Sequence, residues 1–311
     1  MTLSSMRLTY GITPPKLSTP EPRRREIARV QAGRIASLPV DALIVYDLQD
    51  ESSRTDVERP FPFLQAIDPL EYAYDYLDGV ARPKIVYRSV SGMQAPTLVA
   101  WLRRLQGLGG AAVLVGAPSK TQRVSLQLAD AYRAVRAELP ELPLGGVVIA
   151  ERHEARGGED ERLLNKLEQG CSFFVSQAVY SVTATKNLLS DLHYRCQDSG
   201  RAPPPLLLTL SPCGSKKTLD FLAWLGISVP RWLQNELLHA HDILAKSIEL
   251  SALAFAELYD FAIDKGIQLG CNVESVSLQK AEIEASVELV NRVATLMGRP
   301  PERAVSTESP P

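Results

Sequence analysis

The chain has 311 residues, of which 45% are apolar and 23% charged, and a formal charge of -2. This length suits one large α/β barrel or two ordinary domains, and the charge gives no electrostatic drive toward nucleic acid or an anionic membrane. No run approaches the roughly 18 apolar residues of a membrane-spanning helix. The N-terminus lacks the basic-then-apolar pattern of a signal peptide, so a cytoplasmic protein is expected.

Short runs rich in Val, Ile and Leu recur along the chain between helix-like stretches. The first, RLTYGIT (7–13), ends at a glycine and is stopped by Pro14 and Pro15. DALIVYD (41–47), KIVYRSV (84–90), AAVLVGA (111–117) and GVVIAER (146–152) follow. SFFVSQA (172–178), LLLTLSP (206–212) and QLGCNVES (268–275) complete a set of eight. Such near-continuous apolar strands suit a parallel sheet buried on both faces.

The stretches between them read as amphipathic helices. EPRRREIARVQAGRIASL carries Ile27, Val30, Ile35 and Leu38 among charges, and APTLVAWLRRLQGLGG stops at glycines. GGEDERLLNKLEQG opens with acids, which suit the positive end of a helix dipole. Eight strands each followed by a helical segment predict a (β/α)8 TIM barrel in one domain, 1–298. An open doubly wound sheet is the alternative, but no GxGxxG follows the first strand. The long stretch 229–266, between strands seven and eight, predicts two extra helices. The polar, Pro-rich tail, 299–311, predicts disorder.

The four cysteines, Cys171, Cys196, Cys213 and Cys271, are scattered without CxxC spacing and read as free, mostly buried thiols. His239 and His241 are spaced i,i+2, which would put them on different helix faces, so no metal site is expected.

In a barrel, chemistry gathers at the C-terminal ends of the strands. There the chain offers Asp47, Gln49, Asp50 and Glu51 after strand two, Tyr87 and Arg88 at strand three, and Gly116 to Lys120 after strand four. Glu151, Arg152 and His153 close strand five, Gln177 and Tyr180 strand six, Ser211 and Cys213 strand seven, Asn272 and Glu274 strand eight. A desolvated carboxylate in such a mouth can act as a general acid or hold a hydrogen-bonding ring. The plainer reading of any one of these residues is an ion pair that closes the barrel. Lys84 falls at the start of its strand, away from the chemistry, and Lys120 reads as a solvated surface lysine.

The order of these motifs resembles the methylenetetrahydrofolate reductase family. QGCSFFVSQAVYSV is similar to the family's sixth-strand segment, LGISVPRWLQNEL to its short helix after strand seven, and LLNKLEQG to the helix before strand six. The resemblance implies a barrel that reduces a methylene group on a tetrahydrofolate with NAD(P)H, through FAD in most members. Carried over, Gln177 matches the glutamine that binds the pterin and Lys166 a lysine near the flavin phosphates. Asp47, Gln49, Arg88, Tyr180 and Asn272 are then candidate folate contacts, and Tyr87, Gly116 and His153 join Lys166 as candidate cofactor contacts.

The departures are as informative. Where the family keeps a first-strand glutamate as proton donor, YGITPP places Gly11, and where it keeps Arg-Gly-Asp at strand four this chain has VGAP (115–118). Tyr87 stands for the family's strand-three histidine. The flavin motif is eroded, and a flavin-free branch that takes hydride directly from NADH is the nearer comparison. Glycine donates no proton, so Glu51, Glu151 or Glu274 would have to supply it, and Gly11 would leave room for a ligand against the backbone. The alternatives are a non-catalytic folate-binding paralogue or partner subunit, and another enzyme of folate one-carbon transfer or oxidation. A homo-oligomer is compatible with either.

Overall fold

In a computed structural model of the protein, residues 7–51, 55–117 and 124–299 are described. Eight parallel strands close into a barrel in chain order. They are β1 (Leu8–Ile12), β2 (Ala42–Val45), β3 (Lys84–Ser89), β4 (Ala111–Val115), β5 (Leu144–Val148), β6 (Phe173–Ala178), β7 (Leu206–Leu210) and β8 (Leu269–Val273). The ring closes between β1 and β8, where Thr9 is in register with Asn272 and Tyr10 with Val273. All eight apolar runs are therefore strands, and the TIM-barrel expectation holds.

The fifth strand is displaced from its expected position. It begins at Leu144, and Ala150–Arg156 is already a helix, so Glu151, Arg152 and His153 are helical residues beyond the strand. Gly145 and Gly146 are strand residues because the Phe173 and Phe174 rings of β6 lie against them; a Cβ at Gly145 would stand 2.5 Å from Phe173 Cζ.

The barrel interior follows strand parity, with alternate side chains pointing inward. Ala42 and Ile44, Ile85 and Tyr87, Ala111 and Val113, Phe173 and Val175, and Leu207 form one buried cluster inside it. The larger core lies between the sheet and its helices. These are α1 (Glu21–Ala36), a short turn α2 (Pro69–Glu71) that continues as one π-helical turn to Tyr76, α3 (Ala95–Gly107) and α4 (Leu128–Glu138). α5 (Ala150–Arg156), α6 (Glu159–Glu168), α7 (Val182–Asp198) and α8 (Lys216–Trp224) follow. The long insertion is two helices, α9 (Arg231–Leu238) and α10 (Ile243–Asp264), before α11 (Lys280–Leu296) closes the ring. Val30 of the first helix is half exposed, so α1 packs on a narrower stripe, Ala28 and Ile35, than its apolar residues suggest.

The N-terminal face is pinned by Asp41. It accepts the backbone N–H groups of Arg7 and Leu8 and a two-pronged contact from Arg299 at 2.8 Å on each arm. Arg299, the first residue of the expected tail, is thus placed, while 300–311 lie outside the described residues. Lys84 sits on the same face with its ammonium on the Val80 carbonyl at 3.0 Å. All four cysteines are free and buried, as expected.

Candidate functional site

A polar layer crosses the barrel just below its C-terminal mouth. Fully buried Asn272 of β8 accepts from Thr9 Oγ1 at 3.0 Å and donates through Nδ2 to Thr209 Oγ1 at 3.3 Å and to the Tyr46 hydroxyl at 2.8 Å. Thr209 in turn donates to the Ser176 carbonyl at 2.8 Å. Buried polar groups that are all paired in this way hold one arrangement rigidly.

Tyr46 follows β2, and its ring leans across to β1 and β8. A Cβ at Gly11 would stand 2.8 Å from Tyr46 Cε2, 3.2 Å from its hydroxyl and 3.0 Å from Glu274 Cβ. Gly11 is therefore required for space, and that space is filled by the protein itself, which corrects the expectation of a ligand against the backbone there. The Tyr46 ring also meets Tyr87 edge-on, centroids 4.7 Å apart.

Because Asn272 donates to the Tyr46 oxygen, the phenolic proton is left to point at Glu274, to which Tyr46 is hydrogen-bonded. Burial pushes the Glu274 carboxyl up to about 7, against the lowering effect of that hydrogen bond. Glu274 is consequently a carboxyl that gains and loses a proton near neutrality, beside the position where β1 carries no side chain.

A second carboxyl behaves alike. Glu151, in the first turn of α5, has its Oε1 shielded and without a hydrogen-bond partner, and burial pushes it up to about 7. Nearby, Lys166 of α6 reaches the end of β5 and donates to the Val147 carbonyl at 2.5 Å, its pKa lowered chiefly by burial.

Gln177 lies at a bulge of β6, where register shifts between Val175 and Ala178 against β7. Bulges at barrel rims commonly re-aim a side chain; here Gln177 donates to the carbonyl of Leu225, at the end of α8, at 3.1 Å. Glu51 lies in the connection after β2, where its charge acts on Arg59. Gln49 is partly buried in the same connection, and Gly116, just past β4, has open space up to Leu128, 3.7 Å from a Cβ built there. Pro118 and Lys120 lie outside the described residues.

Other expected contacts point elsewhere. Arg88 is turned outward by strand parity, stacks 5.1 Å from the Trp101 ring and pairs with Asp68 at 3.0 Å. Asp47 accepts the Ser89 N–H at 2.8 Å beside it, and burial raises its pKa. Tyr180 spends its hydroxyl on the Ser211 carbonyl at 2.6 Å in a cluster under α8 and α9. Asn272 supports Tyr46 from below. His153 faces the helices, bonded to Asp191 at 3.0 Å and to the Glu159 N–H at 3.3 Å. His153 thus lies between helices, and Tyr87 is buried inside the barrel. His239 and His241 lie in the turn after α9 rather than on a helix. Among the described residues no group of three or more His, Cys, Asp or Glu is placed to hold a metal ion, and no helix is long and apolar enough to cross a membrane.

The residues that sequence reading missed lie in the connection from β2 to α2. Within it, Val57 and Phe61 lie against α8, whose end is bonded to Gln177 of β6, the strand opposite β2 in the barrel order. The connection is fastened there by Trp224 Nε1 donating to the Val57 carbonyl at 2.9 Å and by Phe61 packing edge-on against Phe221, centroids 5.2 Å apart. The available signal was its length, since long irregular connections in compact domains are commonly functional.

No family model and no curated protein matches the sequence. Among solved structures, an uncharacterized protein from Clostridium thermocellum that binds two copies of 5-methyl-5,6,7,8-tetrahydrofolic acid is 42% identical, with a TM-score of 0.83 over 94% of this chain and 96% of that one. The chain belongs to the same family as this Clostridium thermocellum protein. A GH113 β-1,4-mannanase (12% identity, TM-score 0.52, 93% of this chain and 98% of that one) shares the barrel fold alone. So does the GH99 endo-α-mannosidase from Bacteriodes thetaiotaomicron, at 10% identity and a TM-score of 0.51 over 94% of this chain and 97% of that one.

Proposed function

We propose that the barrel mouth binds a reduced folate and that Glu274 exchanges a proton with it during reduction of its one-carbon group, as in the methylenetetrahydrofolate reductases the sequence resembles. The observation that carries this reading is the Glu274 carboxyl, held near neutrality against Tyr46 beside Gly11. The proton donor that the resembled family keeps on its first strand is supplied here from the neighbouring eighth strand. The relative that binds 5-methyl-5,6,7,8-tetrahydrofolic acid supports the ligand class.

In this reading the carboxylic acid of Glu274 protonates N10 of a methylenetetrahydrofolate. The bond from N10 to the bridging carbon breaks, leaving an iminium at N5. Hydride from NAD(P)H adds to that carbon, giving the 5-methyl product and the oxidised nucleotide, and Glu274 recovers its proton from water. Tyr46 stabilises the carboxylate that forms, and Gln177 at the rim offers an amide to the pterin. Hydride passes directly from the nucleotide, and no flavin step is part of the scheme.

Calorimetric titration with 5-methyltetrahydrofolate tests the ligand class. Binding to the unchanged protein and to Glu274→Gln is expected, because the amide preserves shape and accepts from Tyr46. Absence of binding at saturating folate would overturn the reading.

A further inference from the structure

We propose that Arg59 and Lys217 form a seat at the rim of the mouth for an aromatic dicarboxylate, namely the aminobenzoyl-glutamate tail of the folate; this inference rests on the folate reading above. The Arg59 guanidinium lies 4.9 Å from the Trp224 ring centroid, 5.3 Å from that of Phe221 and 5.4 Å from that of Phe63. Its Nε and Nη1 are shielded from solvent and donate to no acceptor. A guanidinium carries five N–H donors, and shielded donors left unpaired are unfavourable unless an acceptor arrives.

A second cation shares the cluster. Lys217, exposed in the first turn of α8, places Nζ 4.6 Å from the Phe61 ring and makes no ion pair among the described residues. Its neighbour Lys216 is already paired with Asp220 at 2.8 Å. Two cations and four aromatic rings therefore meet where residues 57–63 pack on α8. Asp50 and Glu51 are the acids whose charge Arg59 feels, and a carboxylate reaching Nε and Nη1 would supply what those two leave unmade. Planar guanidinium groups favour carboxylates geometrically, and stacked rings favour a benzoyl group. Tetrahydrofolate carries both at the end opposite its pterin, and Gln177, the residue offered to the pterin, is bonded to Leu225, the residue after Trp224.

The test compares 5-methyltetrahydrofolate with the same reduced methylpterin lacking the aminobenzoyl-glutamate tail. Arg59→Gln should weaken binding of the full folate roughly tenfold to a hundredfold and leave the tail-less pterin unchanged. Lys217→Ala, an exposed change that gives up no ion pair and only the contact with the Phe61 ring, should show the same selectivity at roughly twofold to tenfold. Equal losses for both ligands, or no loss in either variant, would overturn the tail seat. Equal affinity of the unchanged protein for the two ligands would overturn it as well. Failure of the unchanged protein to bind either ligand would overturn the folate reading and the seat together.

Discussion

The ring of Tyr46 stands where a side chain at Gly11 would be, with Cε2 2.8 Å from the Cβ position. Gly11→Ala is therefore expected to destabilise the protein by about 1–3 kcal/mol through overpacking. Urea denaturation would show a lower midpoint at unchanged slope. Stability within about 0.5 kcal/mol of the parent would mean that the ring swings away freely. The larger Gly11→Glu is expected to be worse tolerated, so a first-strand glutamate cannot be restored without moving Tyr46.

Tyr46→Phe keeps the ring and deletes the hydroxyl that lowers the Glu274 pKa. The Glu274 carboxyl should then titrate above 7, which carboxyl carbon NMR would record. A downward shift or none would contradict the hydrogen bond.

Glu151 and Glu274 both sit near 7 in the folded chain, above the ordinary 4.5. The fold favours their protonated forms, so that contribution to stability is complete below pH 4.5 and is lost as pH rises through 7. Stability should fall across this interval by no more than about 1.4 kcal/mol per pH unit for each group. Glu274→Gln should flatten the profile and gain on the parent at pH 8, read by denaturation at several pH values. An unchanged slope would place Glu274 in contact with solvent.

Trp224→Phe removes the indole donor to Val57 and keeps an aromatic ring in the cluster. Stability should fall by about 1 kcal/mol, and cleavage after Glu58 by a glutamate-specific protease should quicken because residues 57–61 are less firmly fastened to α8. Cleavage at the parent rate would mean that the aromatic contacts alone hold them.

The barrel was legible because buried parallel strands must be apolar almost throughout, and eight such runs stand out. β5 was misplaced by a physical ambiguity. Leu144 and Gly145 stood outside the expected run, 146–152, yet Gly145 makes room for Phe173 within the strand, and α5 begins at Ala150 without any side-chain cap to announce it. In the mouth, alternation along the strands separates inward Glu274 and Gln177 from outward Arg88, a distinction that listing strand ends does not make. Tyr46 was illegible, since its role comes from contacts to β1 and β8, more than two hundred residues apart. The same holds for Arg59, whose rings come from Phe63 nearby in the chain and from Phe221 and Trp224 of α8, about 160 residues later.

On the proposed reading, Glu274 supplies the proton for reduction of a bound folate. The most direct test is NAD(P)H oxidation by methylenetetrahydrofolate, followed against pH for the parent and Glu274→Gln. The parent rate should depend on a group titrating near 7, and Glu274→Gln should lose about 10²–10⁴ in rate while still binding folate. A variant that turns over at the parent rate with the same pH profile would contradict this reading.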